Sequence, residues 1–107
     1  MKPVKLTMSA FGPYAHKQVL DFTCLGNHTL FLICGPTGAG KSTILDAMCY
    51  ALYGRTSGDV RTGENMRSSY AGLEEETFCG IRFCAGRKVL PGAQEPCPAG
   101  AAQTRTV

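Results

Sequence analysis

The sequence predicts an α/β fold with a mixed sheet, on three observations. Residues 4–10 alternate apolar and polar. Residues 29–34, TLFLIC, form an uninterrupted apolar run of strand length. The glycine-rich octapeptide GPTGAGKS at 35–42 then gives way to apolar residues at helical spacing. A length of 107 residues suits one small domain. With 44% hydrophobic and 18% charged residues, a packed core is possible and wholesale disorder is not expected. No run approaches the roughly 18 to 20 apolar residues of a membrane span. The opening segment also lacks the continuous apolar stretch of a signal peptide, so a cytoplasmic chain is expected.

Each element has its own signal. Val4, Leu6, Met8 and Ala10 share one face and Lys5, Thr7 and Ser9 the other, as in a strand with one side buried. Gly12-Pro13 marks a turn. Val19, Leu20 and Phe22 suggest a second strand, antiparallel to the first. Gly26-Asn27 marks another turn, and the run at 29–34 reads as a central strand covered on both faces. Past the glycines, Ile44, Ala47, Met48, Ala51 and Leu52 give an amphipathic helix, closed by Gly54 as its C-cap. Residues 55–69 read as a surface loop, and Glu74-Glu75-Glu76 as a solvated turn.

Charge and cysteine content narrow the reading. Residues 1–78 balance seven Lys/Arg against seven Asp/Glu, so the net +3 belongs to residues 79–107, where Arg82, Arg87, Lys88 and Arg105 face Glu95. The basicity therefore says nothing about a nucleic-acid surface on the first part. Six cysteines without a secretory signal are expected as reduced thiols. Cys24, Cys34 and Cys49, in apolar contexts, are expected as small core residues. Cys79, Cys84 and Cys97 lack zinc-site spacing.

Residues 35–42 carry the chemistry. They match G-x-x-x-x-G-K-[ST] in its confirming context, with a strand expected before and a helix after. Gly35, Gly38 and Gly40 permit backbone conformations in which consecutive N–H groups converge on phosphate oxygens. The helix N-terminus adds its unpaired N–H groups and positive dipole end. Lys41 reaches the β- and γ-phosphates as a mobile charge, and Ser42 offers its hydroxyl to Mg²⁺. The expected nucleotide-binding set is Gly35, Pro36, Thr37, Gly38, Ala39, Gly40, Lys41, Ser42 and Thr43, with Ser42 as metal ligand and ATP and Mg²⁺ as cofactors. No catalytic residue is assigned. His16 and His28 read as turn or surface residues. Asp46 could approach the Mg²⁺ shell or serve the helix dipole. Arg55, Arg61 and Arg67 read more simply as solvated than as DNA contacts, and Tyr50 and Tyr53 as core or rim packing.

Thirty-four residues, with an antiparallel strand pair expected among them, precede Gly35. That arrangement resembles ABC-type ATPase heads. The segments KPVKLTMSAFGPYA, LDFTCLG, LFLICGPTGAGKSTILDAMCYALYGRTSG and ENMRSSYA, across residues 1–78, resemble more specifically the N-terminus of the SbcC family. These are SMC-like ATPase subunits of the SbcCD exonucleases. The resemblance implies a P-loop NTPase fold and a partial N-terminal lobe of an ATP-binding head. It also implies head-to-head dimers around ATP, an SbcD-type nuclease partner, and DNA as the substrate of that nuclease in repair and recombination. Residues 11–14, Phe-Gly-Pro-Tyr, lie where such heads approach nucleotide, but without an Arg. The chain lacks the family's Q-loop Gln, coiled coil, signature motif, Walker B carboxylates and switch His. A truncated head that binds ATP without hydrolysing it alone is therefore expected. A small stand-alone nucleotide-binding regulator, or a truncated product without a role, stays open beside it.

After Phe78 the composition shifts to three Cys, three Pro, four Gly and five Ala with one acid. Residues 79–107 are expected as an out-of-frame or disordered tail. Back-translated with free third bases and read one base later, residues 79–92 permit VEFDFALGGKYYRV, an alternating strand, a Gly-Gly turn and a second strand. A tail that replaces such a hairpin is expected to leave an open apolar sheet edge.

Overall fold

Strand β1 (Lys2–Ser9) buries Leu6 and Met8 on one face, and that face organises the molecule. The computed structural model describes residues 2–28, 30–58, 63–84 and 102–106. Strand β2 (Gln18–Asp21) pairs antiparallel along one edge of β1, with Leu20 opposite Leu6. Strand β3 (Phe78–Cys84) takes the other edge, setting Ile81 opposite Leu6 and Cys79 opposite Met8. Strand β4 (Ala102–Thr106) pairs antiparallel with β3, so the order is β2-β1-β3-β4. The facing pairs Leu6/Ile81 and Met8/Cys79 put four apolar side chains on one surface, which the helix covers.

That helix, α1, spans Lys41–Tyr53 and buries Ile44, Ala47, Tyr50 and Ala51 against the sheet. Its C-cap Gly54 sits at φ 72°, and its N–H returns to the Tyr50 carbonyl, as glycine's access to the left-handed region allows. Phe11 is fully buried and stacks at 5.9 Å, tilted 48°, on Tyr50. Each such side chain contributes roughly 1.5–3 kcal/mol by leaving water. A short 3-10 turn, Phe22–Leu25, follows β2. The Thr23 hydroxyl and N–H both donate to the Asp21 carboxylate that caps this turn, and hold it below its usual carboxylate range.

The Gly12-Pro13 turn forms as expected. Phe11 and Tyr14 exchange backbone hydrogen bonds of 3.0 Å each way, and Gly12 takes the positive φ of 57° at the first turn position. This hairpin is tied to the later loop, because Gly12 N–H donates to the Met66 carbonyl (2.7 Å) and Ser68 N–H to the Ala10 carbonyl (2.8 Å). A second 3-10 turn, Gly63–Met66, leads into that contact.

Four expectations need correction. Residues 30–36 form no strand: Leu30 is 89% and Leu32 84% exposed. A central parallel strand needs partners on both edges, and none of β1–β4 pairs with it. Among the described residues, Phe31, 5.9 Å from Phe22, and the partly buried Ile33 anchor it to the core. Next, the sheet edge expected to stay open after Phe78 is paired. Cys79 and Ile81 alternate into the core with Arg82 exposed, a short period-two pattern that suffices because β1 supplies the ladder. Strand β4 also covers the β3 edge expected to stay open, from Phe78 to Arg82; residues 85–101 lie outside the described residues. Third, Cys24 and Cys34 are exposed and Cys49 half-buried, since the 3-10 turn and the unpaired run turn the first two outward. Cys84 is disulfide-bonded, whereas Cys24, Cys34, Cys49 and Cys79 are free thiols. Last, Tyr50 is core but Tyr53, at the helix end, is 69% exposed.

Candidate phosphate-binding site

The site begins where the exposed run ends. Residues 35–40 turn sharply, with Ala39 N–H donating to the Pro36 carbonyl at 3.2 Å. Gly38 (φ 84°) and Gly40 (φ 93°) occupy left-handed conformations that side chains disfavour. Gly40 is the N-cap of α1 and makes no side-chain cap. The N–H groups of the first helical turn therefore have no partner within the helix, and with the positive dipole end they favour an anion.

Lys41 opens the helix and folds back over the loop. Its Nζ donates to the carbonyls of Gly35 (2.8 Å) and Pro36 (2.7 Å). A cavity of about 660 Å³ lies in front of it. Thr37, Gly38, Gly40, Lys41, Ser42 and Thr43 line one wall, Gly12 and Pro13 a second, and Asn65, Met66, Arg67, Ser69 and Tyr70 a third. Six of the nine expected site residues thus reach the cavity. Gly35 and Pro36 act through the carbonyls that hold Lys41, and Ala39 closes the turn.

The hairpin packs directly on the glycine loop. A Cβ on Gly40 would lie 2.6 Å from Tyr14 Oη and 2.9 Å from Pro13 Cγ, and one on Gly12 would lie 2.6 Å from Thr43 Cγ2. Thr43 is buried against the hairpin while bordering the cavity. Tyr14 Oη donates to the carbonyls of Ala39 (3.4 Å) and Gly40 (3.3 Å).

Other candidates find structural roles. Asp46 does not border the cavity; it accepts from Ser57 N–H at 3.1 Å and from the Ser57 hydroxyl, tying the following loop to α1. Arg67 clamps its own loop, donating to the Glu75 carbonyl (2.7 Å), the Thr77 hydroxyl (2.6 Å) and the Gly72 carbonyl (2.9 Å). Arg55 is exposed, and Arg61 lies outside the described residues. His16 is exposed, 3.5 Å from Glu75, and His28 is exposed. Among the described residues, no three His, Cys, Asp or Glu side chains gather as a metal site, and no helix is long and apolar enough to cross a membrane.

Sequence reasoning missed the Tyr14 contact and the third wall. Residues 65–70 carry no period, and only their fixing to the hairpin through Met66 and Ser68 brings them to the cavity.

A left-handed glycine turn that delivers a lysine and a hydroxyl to the start of a helix is the phosphate-binding loop of a nucleotide-binding domain. In agreement, the AAA domain family matches residues 5–88, and the chain belongs to that family. It is similar to the SbcC subunit of the nuclease SbcCD from Vibrio cholerae serotype O1, 60% identical over 77 residues, which cover 72% of this chain and 8% of that protein. The SbcC of Treponema pallidum is 42% identical over 90 residues (83% of this chain, 8% of that protein). The SbcC of Lactococcus lactis is 49% identical over 86 residues (80% and 8%). The chain spans less than a tenth of the length of these relatives.

Proposed function

We propose that residues 1–78 are the ATP-binding first part of an ABC-type, SMC-like head in an SbcC-type subunit. Such a subunit would act with an SbcD-type nuclease on DNA in repair and recombination, through a head-to-head dimer. The observation that carries this reading is the phosphate loop itself, seated at the N-terminus of α1 with Lys41 and Ser42 at the cavity. The 60% identity to the Vibrio cholerae SbcC supports the choice of family. The exposed apolar residues Leu30 and Leu32 support a part of a larger head over a stand-alone regulator.

The residues present fit a magnesium nucleotide. Gly35, Thr37, Gly38 and Gly40 would wrap the phosphates with backbone N–H groups, while Pro36, which has no N–H, and Ala39 hold the turn through their own hydrogen bond. Lys41 would leave its carbonyl partners to meet the β- and γ-phosphates, and Thr43 would back the contacts from the first helical turn. Ser42 would hold Mg²⁺, which when bound offsets the phosphate charge. Among the described residues no carboxylate borders the cavity.

Titration calorimetry of the full chain with MgATP tests the reading. Lys41→Ala is expected to lose about 1.5–3 kcal/mol, the worth of a hydrogen bond to a charged group. Equal affinities would overturn the nucleotide assignment. The out-of-frame origin of residues 79–107 stands as part of this proposal. Sequencing the gene around codons 76–80 tests it, and an early stop in the shifted frame removes it.

A further inference from the structure

We propose that Tyr14 is a positioning residue for the phosphate loop: its hydroxyl holds the Ala39 and Gly40 carbonyls and so turns the N–H groups of Gly40 and Lys41 toward the cavity. The inference rests on the nucleotide-binding reading above.

The argument starts from the peptide unit. In a trans peptide the C=O and N–H point in opposite directions. Holding the Ala39 carbonyl therefore aims the Gly40 N–H away from Tyr14, and holding the Gly40 carbonyl does the same for Lys41 N–H. The contacts, at 3.4 and 3.3 Å, share one hydroxyl hydrogen between two neighbouring carbonyls, a three-centre arrangement that restrains both units together.

The loop needs an outside restraint. Glycine rotates freely about its backbone bonds, and Gly38 and Gly40 lie on either side of Ala39 in left-handed conformations. Gly40 has no side chain with which to cap α1. Tyr14 is well placed to supply the restraint because it is itself fixed. Its backbone is bonded both ways to Phe11, and the adjoining Gly12 to Met66. Phe11 in turn is fully buried. The approach of Tyr14 also excludes a side chain at residue 40, since a Cβ there would lie 2.6 Å from Oη and 2.9 Å from Cζ. Glycine at 40 is thus required twice, by its φ and by the tyrosine lying on it.

The test compares wild type, Tyr14→Phe and Lys41→Ala as full chains, each titrated with MgATP and with inorganic pyrophosphate. Affinity is read by calorimetry and the amide shifts of Gly38, Gly40 and Lys41 by NMR. Tyr14→Phe keeps the ring, so its melting temperature is expected to match wild type. MgATP affinity is expected to fall about three- to tenfold, the scale of one neutral hydrogen bond. The ligand-induced shifts at Gly40 and Lys41 should shrink while that of Gly38 persists. Wild-type affinity and shifts in Tyr14→Phe, with binding lost in Lys41→Ala, would overturn this inference alone. A lowered melting temperature with wild-type amide responses would overturn it too, by assigning Tyr14 to stability only. Failure of the wild type to bind either ligand would instead remove the nucleotide reading, and this inference with it.

Discussion

Two stretches that both read as strands, an alternating one in β1 and a wholly apolar one at 30–34, meet opposite fates in this molecule. Leu6 and Met8 of β1 are fully buried, whereas Leu30 and Leu32, just before the phosphate loop, stand almost wholly in solvent. Hydrophobicity does not separate them. What separates them is the ladder: β1 has β2 on one edge and β3 on the other, while residues 30–36 pair with no described strand. An apolar run becomes a strand only when its backbone groups find partners and its side chains find a covering face.

The sharpest way to break this contrast is to truncate one residue from each stretch. Leu6→Ala is expected to destabilise the chain by about 2–5 kcal/mol, as a large-to-small change in a closed core. Leu32→Ala should stay within about 0.5 kcal/mol, as at an exposed position. Urea melts of both variants read the difference, and equal losses would mean that residues 30–36 are packed in solution.

A smaller effect separates two glycines of the phosphate loop. Both have positive φ, but a methyl at residue 40 meets Tyr14 and Pro13, whereas one at residue 38 meets nothing within 4 Å. Gly40→Ala should therefore cost about 1–3 kcal/mol through strain and collision together. Gly38→Ala should lose only about 1 kcal/mol, from its left-handed backbone alone. Thermal melts compare them, and the reverse order would place the hairpin away from the loop.

The mildest probe contrasts two thiols. Burial pushes the Cys79 thiol up to about 12, while Cys34, in the unpaired run, is exposed. Alkylation by iodoacetamide at pH 8 should label Cys34 readily and leave Cys79 unlabelled in the native chain, as mass spectrometry of the peptides would show. The sign for stability follows. An unfolded thiol ionises near about 8.5, so the Cys79 contribution is intact below that pH and declines as pH rises toward about 12. A melt that strengthened with alkali in wild type, but not in Cys79→Ala, would contradict the burial.

Much of this was legible from local pattern. The alternation at Val4 to Ala10, the turn at Gly12-Pro13 and the offsets from Ile44 to Leu52 are short-range signals, and each produced its element. The loop at 35–42 was legible because its glycines, lysine and serine are contiguous. What escaped was non-local. The exposure of residues 30–34 depends on which strands lie beside them. The third wall of the cavity depends on hydrogen bonds from Gly12 to Met66 and from Ser68 to Ala10. Arg67 looked like a free cation because its three acceptors lie five to ten residues further on. Strand β3 was underestimated because its alternation is brief and becomes decisive only opposite Leu6 and Met8.

The posture of Lys41 carries a consequence for anion choice. Its ammonium already holds two carbonyls at 2.8 and 2.7 Å, so an arriving anion must compete for it. Association is an exchange, in which two hydrogen bonds from a charged donor are surrendered before new ones form. A monovalent or singly phosphorylated anion replaces them with little surplus. A chain of phosphates spreads several charges along the lysine's reach and still engages the helix N-terminus, so it gains on both counts. Under the proposed nucleotide role, the loop would therefore select by charge number and span as well as by fit, with sulfate and monophosphate as weak competitors of a polyphosphate.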